Sequence, residues 1–174
     1  FSSLTVKDAL KLMCNQKIVL IIEDDKPKLN SILSFLKSTL SPSIQIIPAE
    51  SLSSAITELS NRTIVLAIVD MSIPTFDIAK DRLGGGKPQG FGGADVLRFI
   101  DSETEDTYSV VLTQYEEFKL PQMNEKHDPR GLQEILEQEL DERFLGVIHY
   151  TGQYGPWQTA LLEVLEKINL VDKR

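Results

Sequence analysis

Ile18-Val19-Leu20-Ile21-Ile22 runs directly into Glu23-Asp24-Asp25, and Ile64-Val65-Leu66-Ala67-Ile68-Val69 runs into Asp70. Both runs are short, rich in β-branched residues and apolar throughout, the pattern of a strand covered on both faces as in a parallel sheet. In open sheets of that kind the ligand site lies beyond the carboxyl ends of the strands. Two buried strands therefore deliver carboxylates to one place where chemistry is expected. Simple strand termination would account for one acidic ending. It accounts poorly for two, the first with three consecutive acids.

Outward from these runs, strand-like and helix-like patterns alternate. Thr5-Val6-Lys7-Asp8 resembles a capping box ahead of Ala9, Leu10, Leu12 and Met13, which predicts a leading helical segment over 1–16. The first strand is predicted over 17–23. Pro27 to Leu40 carries Leu29, Ile32, Leu33, Leu36 and Leu40 at helical spacing, and Pro42 stops that helix. Ile44 to Pro48 reads as a second strand, Ser51 to Leu59 as a helix and 64–69 as the third strand. Beyond Asp70 the rhythm breaks: Ser72 to Gly93 holds two prolines and six glycines, which predicts an inserted Gly-rich loop over 75–92. A helix resumes at Ala94 to Ile100. Tyr108 to Leu112 is a fourth strand ending in Thr113. Asp128-Pro129 is an N-cap with proline behind it, opening a helix to about Arg143. Phe144 to Tyr150 is a fifth strand and Pro156 opens a last helix to Ile168. Such alternation specifies an α/β fold, a doubly wound five-stranded parallel sheet with helices on both faces and a long loop after strand 3.

A length of 174 residues with 41% hydrophobic content fits a single domain over 1–174 with a substantial core. A formal net charge of -8 and a pI near 4.8 argue against direct binding to nucleic acid or to an anionic membrane, since both require a basic face. Cys14 is the only cysteine, which excludes an intrachain disulfide and a Cys-rich metal site and fits a reducing, cytoplasmic compartment. No apolar stretch reaches the roughly 20 residues of a membrane-spanning helix, and the N-terminus lacks the order of a signal peptide.

Carboxylates at the ends of strands one and three, with a hydroxyl at the end of strand four, make a set of oxygen ligands suited to a hard divalent cation such as Mg²⁺. At these positions the chain resembles the receiver domain of two-component response regulators, a flavodoxin-like fold. The residues that carry the resemblance are "IVLIIEDDKP" at the first strand, "IVDMSIP" at the third with Pro74 four residues after Asp70, "GGADVLRFI" as the following helix and "VVLT" at the fourth. The resemblance spans roughly residues 17 to 170. It implies that Asp70 is a phosphoacceptor, that Glu23, Asp24, Asp70 and the Ser72 backbone carbonyl hold Mg²⁺, and that Thr113 contacts the phosphoryl group. It further implies a histidine kinase or phosphotransfer protein as donor, and a downstream protein partner.

The chain departs from the family in four places. Receivers carry a lysine at the end of the fifth strand; here that strand reads "FLGVIHYTGQ", and both His149 and Tyr150 stand open as the counterpart. Neither carries a permanent positive charge, and His149 stands open between a cation beside the carboxylates and a strand histidine satisfied by hydrogen bonds. Gln114 follows Thr113 where a small residue is common. The inward-swinging aromatic of the fifth strand aligns with Val147 or Gly146. The 75–92 loop exceeds the usual connection, and its Lys80, Arg82 and Lys87 would bring positive charge over the acids. A phosphorylation-independent pseudo-receiver acting as a protein interaction module is the alternative. A third class, a Mg²⁺-dependent phosphohydrolase, would want a second aspartate two residues after the first, where Ser72 stands.

Overall fold

The computed structural model describes residues 16–76, 92–116 and 128–172. The chain order is β1 (Ile18–Ile22), α1 (Lys26–Thr39), β2 (Gln45–Ala49), α2 (Leu52–Asn61), β3 (Leu66–Val69), α3 (Gly92–Glu103), β4 (Tyr108–Thr113), α4 (Pro129–Glu139), β5 (Phe144–His149) and α5 (Pro156–Lys167). All neighbouring strands pair parallel in the order β2-β1-β3-β4-β5. The doubly wound five-stranded sheet expected from the alternation is the fold observed. The leading segment lies outside the described residues, apart from Gln16, as does nearly all of the 75–92 loop.

Successive residues of a strand point to opposite faces, so an all-apolar strand feeds two cores at once. Leu20, Ile22, Ala67, Val69 and Val111 pack with Ala55, Leu59, Val96, Leu97, Leu132 and Leu136 from α2, α3 and α4. Val19, Ile21, Leu66, Ile68, Val110 and Leu112 pack with Leu29, Ile32, Leu36, Trp157, Leu161 and Leu165 from α1 and α5. Each fully buried large aliphatic side chain contributes about 1.5–3 kcal/mol of hydrophobic stabilisation. The central strands β1 and β3 carry no exposed residue, so register is fixed and their acidic ends meet at one edge.

Local chemistry sets the element ends. Ser51 caps α2 in a reciprocal capping box with Ser54, and the Asp128 carboxylate accepts from the Gly131 N–H at the start of α4. The helical pattern of the sequence continues to about Arg143, yet α4 ends at Glu139. The Asp141 N–H is taken by the Asp101 carboxylate on α3, and Arg143 donates to the carbonyls of Asp101 and Thr104. These tertiary bonds draw the chain out of the helix and into β5. Among the described residues no helix is long and apolar enough to cross a membrane.

Candidate functional site

Asp70 leaves β3 at the carboxyl edge of the sheet, where the backbone holds it from both sides. Its N–H donates to the Ile22 carbonyl of β1, and its Oδ2 accepts from the Ser72 N–H at 2.9 Å. Behind it, α3 begins on two glycines that allow unusually close approach. An ideal Cβ on Gly93 would stand 2.3 Å from the Asp70 carbonyl oxygen, and one on Gly92 would stand 2.5 Å from that of Ile73. Any larger residue would push the helix off the loop that carries Asp70.

Glu23 and Asp24 leave β1 beside it, and one oxygen from each of Glu23, Asp24 and Asp70 lies within 4.8 Å of the others. The Glu23 and Asp70 side chains are buried and Asp24 is half-buried. Glu23 Oε1 accepts from the Asp25 N–H at 2.9 Å, which turns the chain into α1.

A residue that sequence reasoning missed sits among these acids. Lys28, in the first turn of α1, is 2% exposed. Its Nζ donates to Asp70 Oδ1 at 2.7 Å and to the Leu112 carbonyl at 2.7 Å, and lies 2.6 Å from Glu23 Oε2. The contact with Glu23 is an ion pair without a well-directed hydrogen bond, which leaves Oε2 as a buried oxygen still able to accept. The Tyr150 ring roofs the ammonium at 5.7 Å, within the range of cation–π attraction. Tyr150 in turn packs on Trp157, whose ring also meets Phe35 of α1 edge-on. One ammonium thus touches residues from the ends of β1, β3 and β4 and from the residue that follows β5.

The charges follow from this cage. Burial pushes the Glu23 carboxyl up to about 7, and the neighbouring Asp70 charge adds to the rise, which the Lys28 ammonium only partly offsets. Burial also raises Asp24. For Lys28 burial works against the charged form, but the Asp70 and Glu23 carboxylates outweigh it and hold the ammonium above its ordinary range. With all groups ionised, three carboxylates face one ammonium, leaving a double negative charge in a largely buried pocket. A hard divalent cation on Asp24, Asp70 and Glu23 would balance that excess, so the donor set fits Mg²⁺.

Of the other predicted residues, Thr113 ends β4, fully buried, one residue beyond the carbonyl that Lys28 grips; its Oγ1 accepts from the Tyr115 N–H at 3.4 Å. Ser72 reaches the site through its N–H, as described. His149 is half-buried and pairs in register with Thr113, while among the described residues its side chain makes no ion pair with the acids. The next residue, Tyr150, is the one that closes over Lys28. Gly146, at φ 122°, sits at a register irregularity in β5, where the Val147 N–H donates to Gln133 Oε1. Lys80, Arg82 and Lys87 lie outside the described residues. The α4 acids Glu134, Glu137 and Glu139, with Asp141 and Glu142 beyond it, form an exposed face, while Leu132 and Leu136 beneath it are core.

No protein-family model matches the sequence and no curated protein matches it. Solved structures do. A CheY-like response regulator receiver domain protein from Methanospirillum hungatei superposes with a TM-score of 0.59 at 14% identity, over 89% of this chain and 95% of that one. The response regulator TrrA from Thermotoga maritima, solved in complex with Mg²⁺ and beryllium fluoride, gives 0.53 at 17% identity, over 87% and 98%. The isolated receiver domain of RcsB from Salmonella enterica, solved with a beryllofluoride phosphomimetic, gives 0.55 at 18% identity, over 88% and 89%. At these identities the likeness establishes the fold.

Proposed function

Since the chain has the receiver fold, we propose that it is a signalling domain that accepts a phosphoryl group on Asp70 with Mg²⁺ and passes the change on through protein contacts. The observation that carries this reading is the grouping of the Glu23, Asp24 and Asp70 carboxylates at the carboxyl edge, with Asp70 anchored by backbone and by a buried ammonium. In the reaction an Asp70 carboxylate oxygen attacks the donor phosphorus. A new P–O bond makes an acyl phosphate, and the bond to the donor's leaving group breaks with its electron pair. From acetyl phosphate the leaving group departs as acetate; from a phosphohistidine it departs as the imidazole, whose freed nitrogen takes up a proton from solvent. When bound, Mg²⁺ supplies neutralisation of charge on the phosphoryl oxygens. Asp24, the acid that Lys28 does not contact directly, and Asp70 would hold it, with Glu23 behind them; Thr113 ends the neighbouring strand with a hydroxyl for the phosphoryl group. His149 has a lesser part in this reading, since Lys28 already supplies positive charge. The donor is a histidine kinase or phosphotransfer protein, the reader a downstream protein in the same cytoplasmic compartment. An acidic chain of this kind meets neither nucleic acid nor membrane directly.

The test is intact mass after incubation with Mg²⁺ and acetyl phosphate, for the wild type and Asp70→Asn. One added phosphoryl per chain, absent from the variant, is the expected result. A second reading, a pseudo-receiver that works without phosphate, is favoured by one observation: the buried Lys28 ammonium already pairs with both Asp70 and Glu23. No mass addition together with no Mg²⁺ binding by calorimetry would select it.

A further inference from the structure

The cation beside Asp70 comes from α1, the helix that follows β1. Lys28 is nearly inaccessible, and four groups fix its ammonium: Asp70 Oδ1, Glu23 Oε2, the Leu112 carbonyl and the Tyr150 ring. A lysine loses much side-chain entropy on burial, and a buried charge is tolerated only when paired and hydrogen-bonded. Lys28 meets both conditions through the candidate phosphoacceptor itself. Neither Thr113 nor His149 supplies a permanent positive charge, and Tyr150 contributes only the face of its ring.

We propose that Lys28 is the cation that pairs with a phosphoryl group on Asp70, so that the charge carried by Asp70 is sensed by α1 and by the Tyr150–Trp157 pair above it. This rests on the reading of Asp70 as a phosphoacceptor. Before transfer the ammonium divides its contacts among one oxygen each of Asp70, Glu23 and Leu112. Transfer replaces a carboxylate by an acyl phosphate, whose phosphoryl oxygens carry more charge than the carboxylate did. The ammonium follows that charge and loosens its hold on the Leu112 carbonyl and Glu23. Lys28 stands in the first turn of α1, directly after Pro27, so its displacement acts on the start of the helix. Tyr150 lies against both the ammonium and Trp157, the only tryptophan in the chain, which makes Trp157 a built-in optical reporter.

The experiment has two arms. In the first, acetyl phosphate labelling is followed by intact mass in the wild type, Lys28→Met, Lys28→Arg and Asp70→Asn, with folding checked by circular dichroism. The expectation is labelling of the wild type, none of Asp70→Asn, at least a tenfold slower rate in Lys28→Met and partial recovery in Lys28→Arg. Wild-type kinetics in a folded Lys28→Met would overturn the role of Lys28 while leaving Asp70 as phosphoacceptor. No labelling of the wild type would overturn both. The second arm needs no variant at Lys28: the ammonium ¹H–¹⁵N resonance of Lys28 and the Trp157 fluorescence are recorded in the wild type before and after beryllofluoride with Mg²⁺, against Mg²⁺ alone. A change specific to beryllofluoride, lost in Asp70→Asn, is expected. An unmoved Lys28 resonance in a protein that binds beryllofluoride would refute the proposal.

Discussion

Gly93 stands directly against the Asp70 carbonyl: the space where a Cβ would sit is 2.3 Å from that oxygen and 2.6 Å from the Met71 Cα. The Gly93 N–H also donates to the Met71 carbonyl at 3.1 Å. The start of α3 is therefore the rear wall of the acidic site. Gly93→Ala should cost about 3 kcal/mol, the upper part of the range for overpacking, because the nearest atoms are backbone and have little room to yield. Urea denaturation measures it, and the same variant should weaken binding of any cation to the acids. An unchanged midpoint would mean that the approach of α3 is looser than the structure shows.

Glu23 makes stability fall as pH rises. Its carboxyl is raised from about 4.5 to about 7 by burial and by Asp70, so the folded chain holds a proton that the unfolded chain has released. The resulting stabilisation is present below the unfolded value and is lost as pH climbs through the window from about 4.5 to about 7. The loss is on the order of 3 kcal/mol. Without divalent cation, Glu23→Gln should be more stable than wild type at pH 8, with the advantage fading towards pH 5. Mg²⁺ should narrow it at pH 8 by stabilising the ionised wild type. Thermal melts across this range, with and without Mg²⁺, give the comparison.

Asp24 separates metal affinity from folding. It is half-buried and stands outside the contacts of the Lys28 ammonium, while offering an oxygen to the same cluster. Asp24→Asn should lower Mg²⁺ affinity at least tenfold in titration calorimetry and change stability by less than about 1 kcal/mol, as for other partly exposed polar sites. A metal affinity equal to wild type would remove Asp24 from the ligand set.

Trp157 ties the cage to the core. Its ring is buried against Phe35 and Tyr150, and its Nε1–H donates to the Gly152 carbonyl at 2.8 Å. Trp157→Ala should cost about 3–5 kcal/mol. Trp157→Phe should cost less and leave the Gly152 carbonyl without this donor. If Tyr150 is held in place by Trp157, the alanine variant should also shift the Lys28 ammonium resonance.

The sheet was legible because β1 and β3 are continuous apolar runs whose acidic ends leave little choice of direction, and the acids that close them were the readable part of the site. Lys28 was not read from the sequence, although a signal existed. It lies four residues before Ile32 and eight before Leu36, in phase with the buried stripe of α1, where a lysine demands a partner. The other buried members of that stripe are apolar, and the sequence also offers positive charge in the Gly-rich loop and a titratable group at His149. The early end of α4 was hidden for a different reason: the residues after Glu139 keep helical character, and only contacts with α3, distant in sequence, end the helix.

The Gln133 side chain at Gly146 and Val147 bears on the company this protein keeps. An edge strand offers unpaired backbone groups to any neighbouring chain. β5 forms one border of the sheet, and there the Val147 N–H is already occupied by the Gln133 amide oxygen. The opposite border, β2, carries Pro48, which has no N–H to give. Each border strand thus carries a backbone feature that disfavours strand-by-strand growth of the sheet.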